Sequence, residues 1–154
     1  MKLKSNLTFD NVIKSYKEQY KYEFDEYQLF ELKTGFDDGL NIDLFAYPYF
    51  NDEIMYAIRS VLYTYREYLH DTRAQRRAVQ YVVDDYDGLQ IRELVIGLSK
   101  GLRVELYENQ DLSSYEMFII RQGLESEVDA TKLSTADEAY KKFVKLYEIR
   151  RKTV

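Results

Sequence analysis

Gly35-Phe36-Asp37-Asp38-Gly39-Leu40-Asn41-Ile42-Asp43-Leu44-Phe45-Ala46-Tyr47-Pro48-Tyr49-Phe50, followed by Ile54-Met55, Ile58-Arg59 and Leu62, has a counterpart 62 residues further along. Gly35/Gly97, Gly39/Gly101, Leu40/Leu102, Leu44/Leu106, Met55/Met117, Ile58/Ile120, Arg59/Arg121 and Leu62/Leu124 align without a gap, which marks an internal duplication. A fainter third start, Gly123-Leu124 with Val128, stands 26 residues after Gly97-Leu98 with Leu102-Val104 and points to a shorter elementary unit. Repeats of this length are supersecondary units that bury one face against a neighbour.

Each recurring residue has a physical use. Gly39 and Gly101 stand where a helix ends and the backbone turns to positive φ, which costs glycine little. After them Leu40, Ile42 and Leu44, or Leu102, Val104 and Leu106, alternate with polar residues, the period of a short extended segment with one buried face. Phe45 and Tyr107 break that alternation, and Pro48 fixes its own φ. Asn51-Asp52 and Ser113-Ser114 offer side-chain oxygens to cap the next helix of each copy. Ile54, Met55, Ile58 and Leu62, like Met117, Ile120 and Leu124, then recur at helical spacing.

The pattern Gly-Leu-x-x-Gly-Leu-x-Val-x-Leu-Tyr/Phe-Ala-x-Pro-x-Phe, then Met-x-x-Ile-Arg, resembles a repeat of about 26 residues found in proteins of Firmicutes conjugative elements and phages. The first copy fits closely. The second keeps Gly97, Gly101, Leu102, Val104, Leu106, Tyr107, Met117, Ile120 and Arg121, but has Glu108, Gln110 and Leu112 where the pattern has Ala, Pro and Phe. The resemblance covers about half the chain as a short array. It implies a mobile-element setting and carries over no catalytic residue.

The 154 residues, 45% of them hydrophobic, suffice for one domain with a sizeable core. The expected organisation is a single domain 1–154: an N-terminal helical region 1–34, a first copy 35–62, a helical insert 63–90, a second copy 91–124, and a partial repeat start with a C-terminal helix over 125–154. The absence of cysteine excludes disulfides and thiolate metal sites. No apolar run follows the first lysines, and no stretch approaches the roughly 18 apolar residues of a membrane helix, so a soluble, cytoplasmic protein with no membrane contact is expected.

One proline and six glycines are few breakers, so helices should fill the flanks. Thr8 can cap a helix presenting Phe9, Val12, Ile13, Tyr16 and Tyr20, continuing through Phe24, Tyr27 and Leu29 toward Gly35. Ala74, Val79, Val82 and Val83 mark the insert, and Asp84-Asp85-Tyr86-Asp87-Gly88 forms a cap and turn before Ile91, Leu94, Val95 and Leu98. Ser134 or Thr135 opens a last helix carrying Ala139, Tyr140, Phe143, Leu146, Tyr147 and Ile149. The predicted fold is mainly α, a helical repeat with short extended connectors and flanking helices.

Chemistry is scarce. His70, the only histidine, excludes a multi-histidine metal site, and a lone imidazole in a helix is more often structural than catalytic. Gly97 and Gly101 lack the flanks of a phosphate loop. Asp84, Asp85 and Asp87 with Glu93 have the oxygen donors of a divalent-cation site, but a helix-capping turn needs the same residues. No enzyme, metal or cofactor is expected.

Charge and tyrosine are less easily explained as architecture. The net charge is −5, and acids gather beside the repeat turns: Asp37, Asp38, Asp43, Asp52 and Glu53, then Glu105, Glu108 and Asp111, then Glu125, Glu127 and Asp129. Sixteen tyrosines exceed what such a core requires, so some of Tyr47, Tyr49, Tyr63, Tyr65 and Tyr68 should be exposed. Exposed tyrosines among carboxylates suit a surface for a basic protein. The expected partner-binding set is Asp37, Asp38, Tyr47, Tyr49, Asp52, Glu53, Glu105, Glu108 and Asp111. The reading is a non-enzymatic protein-binding module of a mobile element, of the kind that inhibits a host defence nuclease as an anti-CRISPR or anti-restriction protein. The opposing feature is basic: Arg73, Arg76 and Arg77, with Arg66, Lys141, Lys142, Lys145, Arg150 and Arg151, could form a phosphate-meeting stripe. An acidic chain repels nucleic acid, so that reading ranks second. Arg59 and Arg121 are expected to pair with a repeat carboxylate such as Asp43 or Glu105.

Overall fold

The computed structural model describes residues 7–130, with side chains as far as Ser126. Among these residues the chain is all helical: α1 Phe9–Tyr20, α2 Glu26–Asp37, α3 Asp52–Thr64, α4 Thr72–Val83, α5 Gly88–Ser99 and α6 Ser114–Ala130, with 3-10 turns at Ile42–Leu44 and Val104–Leu106. The chain divides into two compact units, Met1–Thr64 and Tyr65–Val154. Ser134 or Thr135 with the helix expected to start there, and the basic residues Lys141 to Arg151, lie outside the described residues, as do the side chains of Glu127, Val128 and Asp129.

In the first unit, Thr8 Oγ1 accepts the Asn11 N–H and so caps α1, as its sequence implies. The helix does not run on to Gly35. Lys21 turns to φ +54°, and Asp25 starts α2 with a capping box, its carboxylate accepting the Gln28 N–H while Gln28 Oε1 accepts the Asp25 N–H. Gly39, at φ +77°, ends α2 in a Schellman motif: Leu40 N–H donates to the Gly35 carbonyl and Gly39 N–H to that of Phe36. The connector is then a 3-10 turn and not an extended strand. Asn41 Oδ1 accepts the Asp43 N–H, and Phe45 N–H closes onto Ile42, so local hydrogen bonds override the alternating pattern. Asn51 caps α3 through the Ile54 N–H. α3 packs on α2 around Leu32, Phe45, Met55 and Ile58, all buried.

The second unit has the same order of elements, offset by 63 for its first helix and by 62 from the second helix onward. Asp87 and Gln90 form its capping box, and Gly101, at φ +70°, ends α5 with Leu102 N–H on the Gly97 carbonyl. Ser113 caps α6. α5 packs on both α4 and α6, and Leu94, Val104, Tyr107, Met117, Ile120 and Leu124 are buried. In the insert Ala78 and Tyr81 are the buried positions of α4, while Val79 and Val82 are half-buried and Val83 is exposed. His70 is exposed in the turn before α4 and not within a helix. The loop after the second 3-10 turn keeps the shape of the first although Glu108, Gln110 and Leu112 replace Ala46, Pro48 and Phe50. Phe50 N–H donates to Tyr47 and Leu112 N–H to Asn109, so the turn closes identically with or without proline. The 26-residue period is not followed at its third start, because α6 runs through 127–130, where that offset would place the Gly101 turn.

Gly35 and Gly97, inside α2 and α5, are the close-approach positions. A Cβ on Gly35 would come 2.7 Å from Phe45 Cζ; one on Gly97 would overlap Tyr107 Oη and lie 2.8 Å from Val104 Cγ1. Gln28 and Gln90 hold the loops from the other end of these helices, donating at 2.8 Å to the carbonyls of Phe50 and Leu112. Each loop is thus clamped between a helix start and a helix glycine.

Candidate binding surfaces

The first clamped loop carries Tyr49, which is more exposed than Tyr27 and Phe30 of α2 or Tyr56 and Tyr63 of α3. Tyr47 and Tyr49 stack at 5.2 Å and 20°, Tyr47 also meets Tyr20 of α1 at 6.2 Å, and Phe50 lies edge-on to both loop tyrosines. Tyr16 and Phe24 continue the cluster into the core. The result is an aromatic step that rises from buried Phe50 and Phe24 to Tyr49, which is 72% exposed. Its hydroxyls crowd one another. Desolvation, then the neighbouring Tyr47, Tyr49 and Asp43, raises Tyr20 above the usual phenol range. Tyr16 donates to Asp43, and burial plus that bond raises it further.

The loop fold does not need these rings. Tyr47 and Tyr49 correspond at the offset of 62 to Asn109 and Asp111, and the second loop adopts the same turns. Tyr63 and Tyr68 are exposed as expected, whereas Tyr47 and Tyr65 are half-buried. Tyr16, Tyr81 and Tyr107 are core residues.

Within the first unit the acidic residues are spread over the end of α2 and the start of α3. Gln28, at the start of α2, is bonded to Phe50, whereas Asp37 and Asp38 end the same helix, about 14 Å away at 1.5 Å per residue. Asp52 and Glu53 follow the aromatic loop directly and open α3, where carboxylates favour the helix dipole. Asp37 and Asp38 sit at the unfavourable end of α2, whose last turn has no basic residue, and Lys33 pairs with Asp37 at 2.8 Å. Folding therefore accounts for Asp52 and Glu53 better than for Asp37 and Asp38.

In the second unit the expected acidic and basic residues meet each other. Arg77 donates to Glu105 at 2.9 Å and to Glu108 at 2.7 Å, and Tyr81 also donates to Glu108. These carboxylates are engaged within the unit, Glu108 the more covered of the two, while the Glu105 side chain stays 57% exposed. Desolvation works against the ionised Glu105, yet its own backbone N–H and Arg77 hold its carboxyl below the usual glutamate range, with Arg103 adding to the effect. The Arg77 guanidinium is raised despite desolvation, through Glu108 and then Tyr81 and Glu105. Asp111 is exposed beside the clamped turn. Arg73 and Arg76 are exposed on α4, so the expected run of three arginines loses its third member to internal pairing.

Arg59 and Arg121 do pair with equivalent carboxylates, but with Glu31 and Glu93 and not with Asp43 or Glu105. Both pairs are 2.7 Å long, and the Arg121 pair is buried. Arg121 also holds Glu125, which Lys100 joins. Each guanidinium lies over an aromatic ring of its own helix, Tyr56 or Phe118. Glu31 and Glu93, buried one turn before the close-approach glycines, escape a reading that takes every acid as a surface group. Their spacing of 62 was the available signal.

Among the described residues no three His, Asp or Glu side chains come together as a metal cluster, and no helix is long and apolar enough to cross a membrane. Asp87 and Asp85 act in the turn before α5, Asp87 as the cap and Asp85 at φ +70°. Comparison with protein-family models, curated proteins and solved structures finds no match.

Proposed function

We propose that the chain is a non-enzymatic protein-binding module of a mobile genetic element, presenting the Tyr20-Tyr47-Tyr49 step of its acidic first unit to a basic partner. The observation that carries this reading is the pair of tyrosines at loop positions where the second unit manages the same turns with Asn109 and Asp111. The exposed face of Tyr49 suits a partner guanidinium or ammonium, an arrangement the chain uses internally when Arg59 lies over Tyr56 beside Glu31. The first unit holds eleven acids against seven bases, a net −4, which favours encounter with a positive surface. With the repeat resemblance, the favoured partner is a nucleic-acid-binding defence protein of the host, held in an anti-CRISPR or anti-restriction manner in the cytoplasm.

The test is capture from host lysate after nuclease treatment, followed by kinetics on the captured protein. Asp37→Asn with Asp38→Asn should slow association and reduce its salt dependence. Tyr49→Ala should weaken the complex by about 2 kcal/mol, chiefly through faster dissociation. Binding that ignores these changes and collapses on Arg73→Gln and Arg76→Gln would overturn the reading in favour of nucleic acid.

A further inference from the structure

The two units differ where their first helix meets their second. In unit 1 the ring of Phe9, which opens α1, packs on Phe36 at 5.7 Å, with the Lys33 ammonium over it. In unit 2 α4 opens with Thr72, and Leu98, which stands 62 residues after Phe36, lines a cavity of about 330 Å³ instead. That volume falls within the roughly 300–1,000 Å³ of small-molecule sites. Ala74, Leu98 and Leu102 supply its apolar lining, while Arg73, Arg77 and Arg103 bring three guanidinium groups from α4 and from the segment after Gly101.

The two carboxylates at this cavity are committed elsewhere. Asp71 accepts the Ala74 N–H at 2.7 Å as the cap of α4, and Glu105 is held by Arg77 at 2.9 Å. Among the described residues none pairs with the Arg73 guanidinium, and its side chain is exposed at the cavity. A guanidinium fork matches the oxygens of a phosphoryl group, which can accept two of its N–H groups at once. Arg76 does not line the cavity, so the cationic groups gather in a bounded hollow and do not continue along α4 as a strand-binding stripe would.

We propose that this cavity binds a small phosphate monoester, with the phosphoryl group on Arg73 and the organic part against Ala74, Leu98 and Leu102. The site is independent of the aromatic step and of the protein partner. The test is amide NMR on the full chain, titrated separately with inorganic phosphate, AMP, adenosine and a single-stranded oligonucleotide lacking terminal phosphates. AMP should shift the amides of Arg73, Ala74 and 101–105; inorganic phosphate should shift the same segment at higher concentration, and adenosine should not. R73Q should weaken AMP binding about tenfold or more. Ala74→Phe, which fills the hollow, should abolish binding in a chain whose circular dichroism is unchanged; should that variant unfold, R73Q alone decides. Absence of shifts at millimolar AMP, AMP binding indifferent to R73Q, or an oligonucleotide that displaces AMP and depends equally on Arg76 would each overturn the proposal.

Discussion

Gly97→Ala tests the close approach around which the second unit is built. A Cβ there would occupy the space of Tyr107 Oη, and it would also lie 2.8 Å from Val104 Cγ1 and 3.2 Å from Tyr107 Cζ. Tyr107 is fully buried, and its hydroxyl donates to the Glu93 carbonyl at 2.9 Å, so the ring cannot yield without giving up that bond. Overpacking costs about 1–3 kcal/mol. Leaving the buried hydroxyl and carbonyl unsatisfied adds about 1–3 kcal/mol. Alanine regains about 1 kcal/mol of helix propensity over glycine. The expected net loss is about 1–5 kcal/mol, measured by urea denaturation. The diagnostic step repeats the substitution in a Tyr107→Phe background, where Oη is gone. The cost of Gly97→Ala should then fall by about 1 kcal/mol or more, a coupling typical of groups in contact. Gly35→Ala, facing a phenylalanine from the outset, should resemble that relieved case. A neutral or stabilising Gly97→Ala, or an equal cost in both backgrounds, would refute the close-approach argument.

Gly39→Val and Gly101→Val meet no neighbour, so their loss should reflect positive φ alone and reach about 1 kcal/mol or more by thermal or urea melting. Arg121→Met leaves Glu93 charged and buried, and should cost about 3–5 kcal/mol at neutral pH. Arg59→Met should cost less, since the Arg59 side chain is 15% exposed against 7% for Arg121 and its pair is better screened by water. Arg77→Gln should cost about 1 kcal/mol near neutrality, a figure kept low by solvent screening at the half-exposed Glu105. Because the folded-state pKa of Glu105 lies below its ordinary 4.5, this contribution is present above that value and is lost as the pH falls through the folded one. Stability curves of wild type and Arg77→Gln should therefore converge in acid; divergence there would refute the pairing as the cause.

What the sequence determined by itself was local. Thr8, Asn51 and Ser113 cap helices, and Gly39 and Gly101 take positive φ, because each answers a backbone group within a few residues. The mainly helical character and the places where Met55, Ile58 and Leu62 recur as Met117, Ile120 and Leu124 belong to the same class, since helical periodicity is written in consecutive residues. The break at Lys21 and the 3-10 turn at Ile42 were legible only in part, as Asp25-Gln28 and Asn41 compete locally with a hydrophobic pattern that points elsewhere. The tertiary structure decided the partners. Arg59 with Glu31, Arg121 with Glu93 and Arg77 with Glu105 each span 28 residues, and nearer or equally acidic residues were available to all three. Likewise the fit of Tyr107 over Gly97, the aromatic step at Tyr49 and the cavity beside Leu98 arise only when helices pack, because burial and distance, not spacing, select which charges meet and which rings stay outside.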